Sequence, residues 1–423
     1  MTKWQLTRIR QQLSANRLCD VLSRSFLVAL VTGTISAQEG VAKEGSTLAP
    51  PSAEVNHAIS LATGYLERAC GPDGKFAYQV DIRSGRQDSS YDIIRHAGAM
   101  YALAMANRSH PAPQAAAALI RAAKFLRENY IGPGVRPGQE AVWSQPLVES
   151  AHSRGTVPER YAELGGTGLG LVALAEARRV DTKSVPLEQL QALGRFAVFL
   201  QRDDGSFVHR YLAQSGAVAN WQSLYYPGEA ALGFIALYEA DHSREWLIAA
   251  GKALTYLARS RAGLTMVPAD HWALIATAEF LPYCDRVGCA APREELVRHA
   301  VQVCESILYD QFQGSTATGL DGAFDPAGRT APTATRLEGL LAALEFLPTG
   351  DLRGKVESAI RRGISFLLRA QILAGEEAGG MPGAILVSEQ DSARVRVDYV
   401  QHSLCAWLRY RTVSNHAPGK ERS

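Results

Sequence analysis

Charged, imidazole and phenol side chains gather in one register of this 423-residue chain. Six apolar stretches carry that register: HAGAMYAL (96–103), TGLGLVAL (167–174), AALGFIAL (230–237), HWALIATA (271–278), LEGLLAAL (337–344) and QHSLCAWL (401–408). At or just before their starts lie Arg95 and His96, Glu229, Asp270 and His271, Arg336, and Asp398 with His402. Tyr91, Glu163, Trp221, Tyr225 and Tyr226 stand a few residues further upstream. The turns that follow are almost wholly apolar.

Two chemistries suit these residue types. Two carboxylates facing each other across a cleft can act as general acid and as base or nucleophile on a glycosidic bond, with their separation setting the outcome. Glu229 and Asp270, on adjacent repeats, are the pair in question, with Glu163 ahead of them; helices pack ~8–10 Å apart. Alternatively, His96, His271 or His402, with Tyr91 or Tyr225, could abstract the proton beside a uronate carboxyl group. Arg95 and Arg336 would then clamp an anionic sugar. Trp143, Trp221, Trp272 and Tyr226 would stack on a pyranose face, or else pack in the core, and Tyr225, Asp398 and His402 would complete the binding surface. Taken singly, Glu229 and Asp270 also suit helix caps, each stabilising by roughly 0.5–2 kcal/mol, and the arginines suit pairing with acids. The register shared by five of six repeats favours a site. No metal or organic cofactor is expected: no ligand pair has helical spacing, and no phosphate-binding loop or Gly-x-Ser-x-Gly elbow occurs.

Positioning this register requires a repeat. The last residues of the six stretches are Leu103, Leu174, Leu237, Ala278, Leu344 and Leu408. Ahead of each lies a more amphipathic helix such as GYLERACGPDGKF or VFLQRDDGSF, which ends in a polar turn. Three of these turns read Asp-Gly-x-Phe, at 73–76, 204–207 and 321–324. Asp-Gly supplies a tight turn and Phe returns the chain to the core. GGTGLG at 165–170 enters an Ala/Leu helix with no strand before it, so it reads as close helix packing and not as a dinucleotide loop. Stretches that are apolar nearly all round belong inside, against a core and two neighbours. Six such hairpins predict an all-α fold, an (α/α)6 toroid over 55–412, because closure buries every pair without capping repeats; an open solenoid is the competitor.

Composition narrows the class. The charge is +2, with 47% hydrophobic and 20% charged residues, which excludes a disordered chain and gives no footprint for nucleic acid. Residues 1–25 carry five basic residues and one acid, followed by an apolar run from Phe26 to Ile35 and then Ser36-Ala37. This pattern predicts a signal peptide over 1–37 and a periplasmic or secreted protein. The run is too short for a stable membrane span. Residues 38–54 read as a linker and 413–423 as a tail. Cys284 and Cys289 are close enough in sequence to close a small disulfide loop.

With the six hairpins in place, the chain resembles the α/α-toroid superfold: six-hairpin glycosidases, polysaccharide lyases, sugar epimerases and the terpenoid-cyclase toroids. The resemblance covers about 55–412 and rests on architecture. The Asp-Gly-x-Phe turns look like the repeats of terpenoid cyclases, whose Asp-rich catalytic motif is absent; Arg202-Asp203-Asp204 is a turn. The resemblance implies an exported enzyme that cleaves or epimerises a glycan, an acidic one given Arg95 and Arg336. Hydrolysis, elimination and epimerisation all stay open. A non-catalytic toroid binding glycan or peptide in envelope assembly, and a cyclase-like enzyme, are the alternatives.

Overall fold

The computed structural model describes residues 50, 52–145, 159–218, 220–287, 292–313, 319–386 and 390–415. The proposed signal peptide, most of the linker, the end of the tail and Cys289 lie outside the described residues. Among the described residues, twelve helices of ten residues or more form six hairpins. The outer members are α1 (Ser52–Ala69), α3 (Pro113–Tyr130), α5 (Leu187–Leu200), α7 (Arg244–Arg261), α9 (Arg293–Tyr309) and α11 (Asp351–Ala370). The inner members are α2 (Ile93–Ser109), α4 (Leu164–Val180), α6 (Tyr226–Asp241), α8 (His271–Phe280), α10 (Thr330–Ala343) and α12 (Val397–Asn415).

Each inner helix packs on the next, from α2 to α4, α6, α8, α10 and α12, and α12 packs on α2. This is a closed (α/α)6 toroid. The outer helices show why they face water: α11, for example, buries Val356, Ala359, Ile360, Gly363, Ile364, Phe366, Leu367 and Ala370, one stripe at helical period. α6 instead buries every residue from Tyr226 to Leu237. Close approach between inner helices depends on missing side chains. A Cβ on Gly168 would lie 2.7 Å from the backbone nitrogen of Ala230, and one on Gly233 would lie 2.6 Å from the Gly168 carbonyl. The GGTGLG segment is therefore a packing face. Among the described residues, no helix is long and apolar enough to cross a membrane.

Loops at the inner helices' N-terminal side carry short strands. β1 (Gln79–Asp81) pairs antiparallel with β7 (Arg394–Arg396), joining the first hairpin to the last. β2 (Ile131–Pro133) pairs with β3 (Glu140–Val142), while β4 (Tyr161–Glu163), β5 (Arg210–Leu212) and β6 (Gly216–Ala217) form a three-stranded sheet. The three Asp-Gly-x-Phe turns have one geometry. Gly74, Gly205 and Gly322 take φ of +86°, +89° and +88°. A Cβ on each would run into the carbonyl of Arg121, Lys252 or Arg362, on the next outer helix. Gly379 repeats the arrangement at φ +92° against the Leu61 carbonyl of α1, without the Asp-Gly-x-Phe sequence.

Candidate active site

The N-terminal turns of the inner helices surround a cavity of about 290 Å³. Its walls include Asp92 and Arg95 from the start of α2, Tyr225, Tyr226 and Glu229 from α6, His271 and Trp272 from α8, and Asp398, Gln401 and His402 from α12. Of the expected site residues, Arg95, Tyr225, Tyr226, Glu229, His271, Asp398 and His402 line it, while Glu163, Asp270, His96, Arg336, Tyr91 and Trp221 do not.

Several are spoken for. Arg95 donates to Asp398 at 3.0 Å and to the Tyr78 hydroxyl at 2.8 Å, and it pairs with Asp92. Arg396 binds both oxygens of Asp398, at 2.6 and 2.9 Å. Burial alone would raise the Asp398 carboxyl, yet the two guanidinium groups hold it below the ordinary carboxylate range. Arg95 is thus a neutralised member of a network, in contrast to the free anion clamp expected. Glu163, the N-terminal neighbour of α4, accepts from Arg210 at 3.0 Å and from the Tyr226 hydroxyl at 2.8 Å. Trp221 lies 3.9 Å beneath the Arg210 guanidinium and 5.4 Å from the Tyr226 ring. Glu163, Tyr226 and Trp221 form one anchored cluster, of which Tyr226 lines the cavity.

Two candidate catalytic residues are placed elsewhere. His96 sits in the core, accepting from the Tyr91 hydroxyl at 2.7 Å and donating to the Ala122 carbonyl at 3.0 Å. Tyr91 in turn receives the Phe76 backbone N–H at 3.2 Å, so this pair pins the first Asp-Gly-x-Phe turn. Burial lowers the His96 pKa to about 4, and the ring stays neutral. Asp270 is fully buried: one oxygen caps α8 by accepting from Ala273 at 3.1 Å, and the other accepts from Arg261 at 2.8 Å. It is a cap and an ion-pair partner and does not line the cavity.

What is left unpartnered is the informative part. His271 opens α8 with 1% of its surface exposed and neither ring nitrogen hydrogen-bonded. Its ring stands edge-on to Tyr225 at 4.9 Å and to His402 at 5.5 Å between centroids. Burial, with His402 and Arg336 adding, drives its pKa well below the ordinary imidazole value. His402 Nδ1 lies 2.6 Å from Oε1 of Glu338, a fully buried carboxylate whose other oxygen has no partner. Arg336 lies in the second turn of α10, which begins at Thr330, earlier than the register suggested. It donates to the Pro332 carbonyl at 3.0 Å, while its buried Nε has no partner. Glu229 is 4% exposed, with Oε2 unpartnered against Gly165, and burial beside Asp270 and Glu163 raises its pKa to about 8. At neutral pH it carries a proton.

The architecture recurs in solved α/α toroids. A sugar epimerase from a ruminal bacterium superposes with a TM-score of 0.63 at 13% identity, covering 85% of this chain and 98% of its own. A D-mannose isomerase gives 0.62 at 11%, covering 86% and 98%. An unsaturated glucuronyl hydrolase specific for heparin gives 0.58 at 12%, covering 86% and 99%. The chain shares the six-hairpin, glycosidase-like fold of these proteins. No family model and no curated protein sequence matches it.

Glu338 is the residue that register reading undervalued. It stands beside Arg336 and is the lone carboxylate of LEGLLAAL, a signal visible in the sequence. The ligand atoms of His271, Glu338 and His402 lie within 4.8 Å of one another, so these three are the described residues placed to hold a divalent ion.

Proposed function

We propose that this protein is a carbohydrate-active enzyme that moves a proton on the carbon beside a sugar carbonyl, a sugar epimerase or isomerase. The observation that carries the reading is the edge-on pair His271–His402, one ring backed by buried Glu338 and the other with both nitrogens open. A carboxylate on Nδ1 of His402 fixes that nitrogen as the N–H and leaves Nε2 as the acceptor. Nε2 takes the proton from the carbon next to the carbonyl, and the electron pair moves to the carbonyl oxygen. Neutral His271 donates a hydrogen bond to the resulting enediolate. Return of the proton from His402 after the enediolate has turned to present its other face inverts the carbon, and return to the neighbouring carbon, with the hydroxyl proton passing to the former carbonyl oxygen, isomerises the sugar. No oxidant is consumed. A cavity of about 290 Å³ is at the small end of ligand sites, which run ~300–1,000 Å³, and suits a sugar unit better than a long polymer. A carboxylate on the substrate, as the acidic-glycan reading requires, would meet Arg95 at the cavity wall, where Asp92 and Asp398 already pair with it.

Hydrolysis has one observation in its favour, the proton-bearing Glu229 at the cavity wall. Among the described cavity residues the other carboxylates are paired: Asp398 is bound by two arginines and Asp92 by Arg95, and Asp270, behind the wall, is bound by Arg261. We further place the activity outside the cytoplasm, on the basic N-terminal region and short apolar run; N-terminal sequencing of protein from a fractionated host checks processing after Ala37.

The reading is tested by incubating the protein with neutral reducing sugars and uronic acids in deuterated water. Carbon-bound deuterium next to the carbonyl, with a new epimer or isomer, is the expected result. New reducing ends without carbon-bound deuterium would transfer the site to glycoside hydrolysis.

A further inference from the structure

His402 is aimed by Glu338, and His96 by two hydrogen bonds, but His271 has no polar tether. Its orientation comes from where α8 begins and from the rings of Tyr225, Trp272 and His402 around it. The start of α8 is fixed by its neighbour in sequence. Asp270 accepts from Ala273 N–H through Oδ1 and from Arg261 through Oδ2, and its own backbone N–H donates to Pro268. Arg261 is the last residue of α7, and its other terminal nitrogen lies 3.2 Å from Nε2 of His299 on α9. All three side chains are buried, at 0%, 8% and 3% exposed. A cap needs only a short acceptor, which Ser or Asn supplies as well as Asp. A carboxylate buried with an arginine carries a desolvation penalty that a cap alone does not require. The added element is direction: the ion pair ties the first turn of α8 sideways to two outer helices, directly beside the untethered imidazole.

We infer that Asp270 is a positioning residue for His271, acting through the Asp270–Arg261–His299 chain and without touching substrate. The inference rests on the proton-transfer reading of the His271–His402 pair. Asp270→Asn keeps the cap and removes the charge pair, and Asp270→Asn with Arg261→Gln also removes the arginine charge left behind. On whichever sugar the wild-type protein turns over, both variants should lose about 10- to 100-fold in kcat, with KM within about twofold. The double variant separates this effect from instability: it should regain thermal stability relative to Asp270→Asn and should not regain kcat. An activity-independent readout accompanies it. The ring ¹H–¹³C signals of the His271 imidazole, assigned by their loss in His271→Gln, should be ring-current shifted by Tyr225, Trp272 and His402 in the wild type and move toward averaged positions in both variants. A folded double variant with wild-type kcat and unchanged His271 ring signals would overturn the inference. If the wild-type protein turns over no sugar, the proton-transfer reading fails, and the imidazole spectrum alone decides the positioning role.

Discussion

His96 and His271 occupy the first turns of inner helices in the first and fourth hairpins, and each is 1% exposed. By residue type, register and burial they are equivalent. They differ in their nitrogens. Both of His96 are satisfied, by a tyrosine hydroxyl and a backbone carbonyl, whereas neither of His271 is. A buried polar atom without a partner carries a penalty of about 1–3 kcal/mol, so a fold retains one only where something else is gained. Burial identifies neither as functional; unmet hydrogen-bonding capacity separates the core imidazole from the cavity one.

The sharpest way to break this comparison is substitution at the two ends of the contrast. His402→Asn, which removes the proposed base that faces His271, should lower turnover by about 10²- to 10⁴-fold with the fold retained, as read by steady-state kinetics beside a circular dichroism spectrum. His96→Gln in the same assays should leave turnover unchanged and lower stability by about 1–3 kcal/mol, because the Tyr91 hydroxyl and Ala122 carbonyl lose their partner. Turnover falling equally in both variants would erase the distinction.

Gly379 tests whether the first hairpin's seam extends beyond hydrogen bonding. Gly379→Ala forces a Cβ into the Leu61 carbonyl at a positive φ, and a loss of about 3 kcal/mol or more in urea unfolding is expected. Gly375→Ala, also at positive φ but in open space, should cost markedly less.

The smallest effect concerns protons. Glu229 binds its proton more tightly folded than unfolded, so the native state holds the extra proton between the ordinary glutamate range and about pH 8. Stability from this group is complete at low pH and is lost as pH rises toward 8, with a slope approaching about 1 kcal/mol per pH unit. The buried histidines His96 and His209, both lowered to about 4, act in the opposite sense below about pH 6.5, where the unfolded chain takes up more protons. Between pH 7 and 8 the wild-type melting temperature should therefore fall, and Glu229→Gln should flatten that decline.

The ring was legible because its requirements are local: inner helices apolar on every side, Gly at their crossings, and turns that need positive φ. Gly379 escaped the pattern because its backbone supplies the geometry of the other three turns without their Asp or Phe. The site was legible as a register and not as a set of roles. A helix start brings Asp270, His271, Arg95 and Glu229 to one end of the ring. Whether each points at the cavity depends on partners far off in sequence, as Arg95 depends on Asp398 and Asp270 on Arg261. Glu338 shows the converse: its two-residue distance from Arg336 is plain, but its value comes from His402, 64 positions away.

The strand pair between Gln79–Asp81 and Arg394–Arg396, with Gly379 seated on the first helix, makes the two chain-terminal hairpins immediate neighbours. Every repeat consequently has a flank on both sides, and none serves as an expendable end piece. Shortening the polypeptide before Val397 would leave an arc with two raw apolar flanks in place of a smaller working molecule. Solubility and cooperative melting should then vanish together, where a linear array would lose them one repeat at a time.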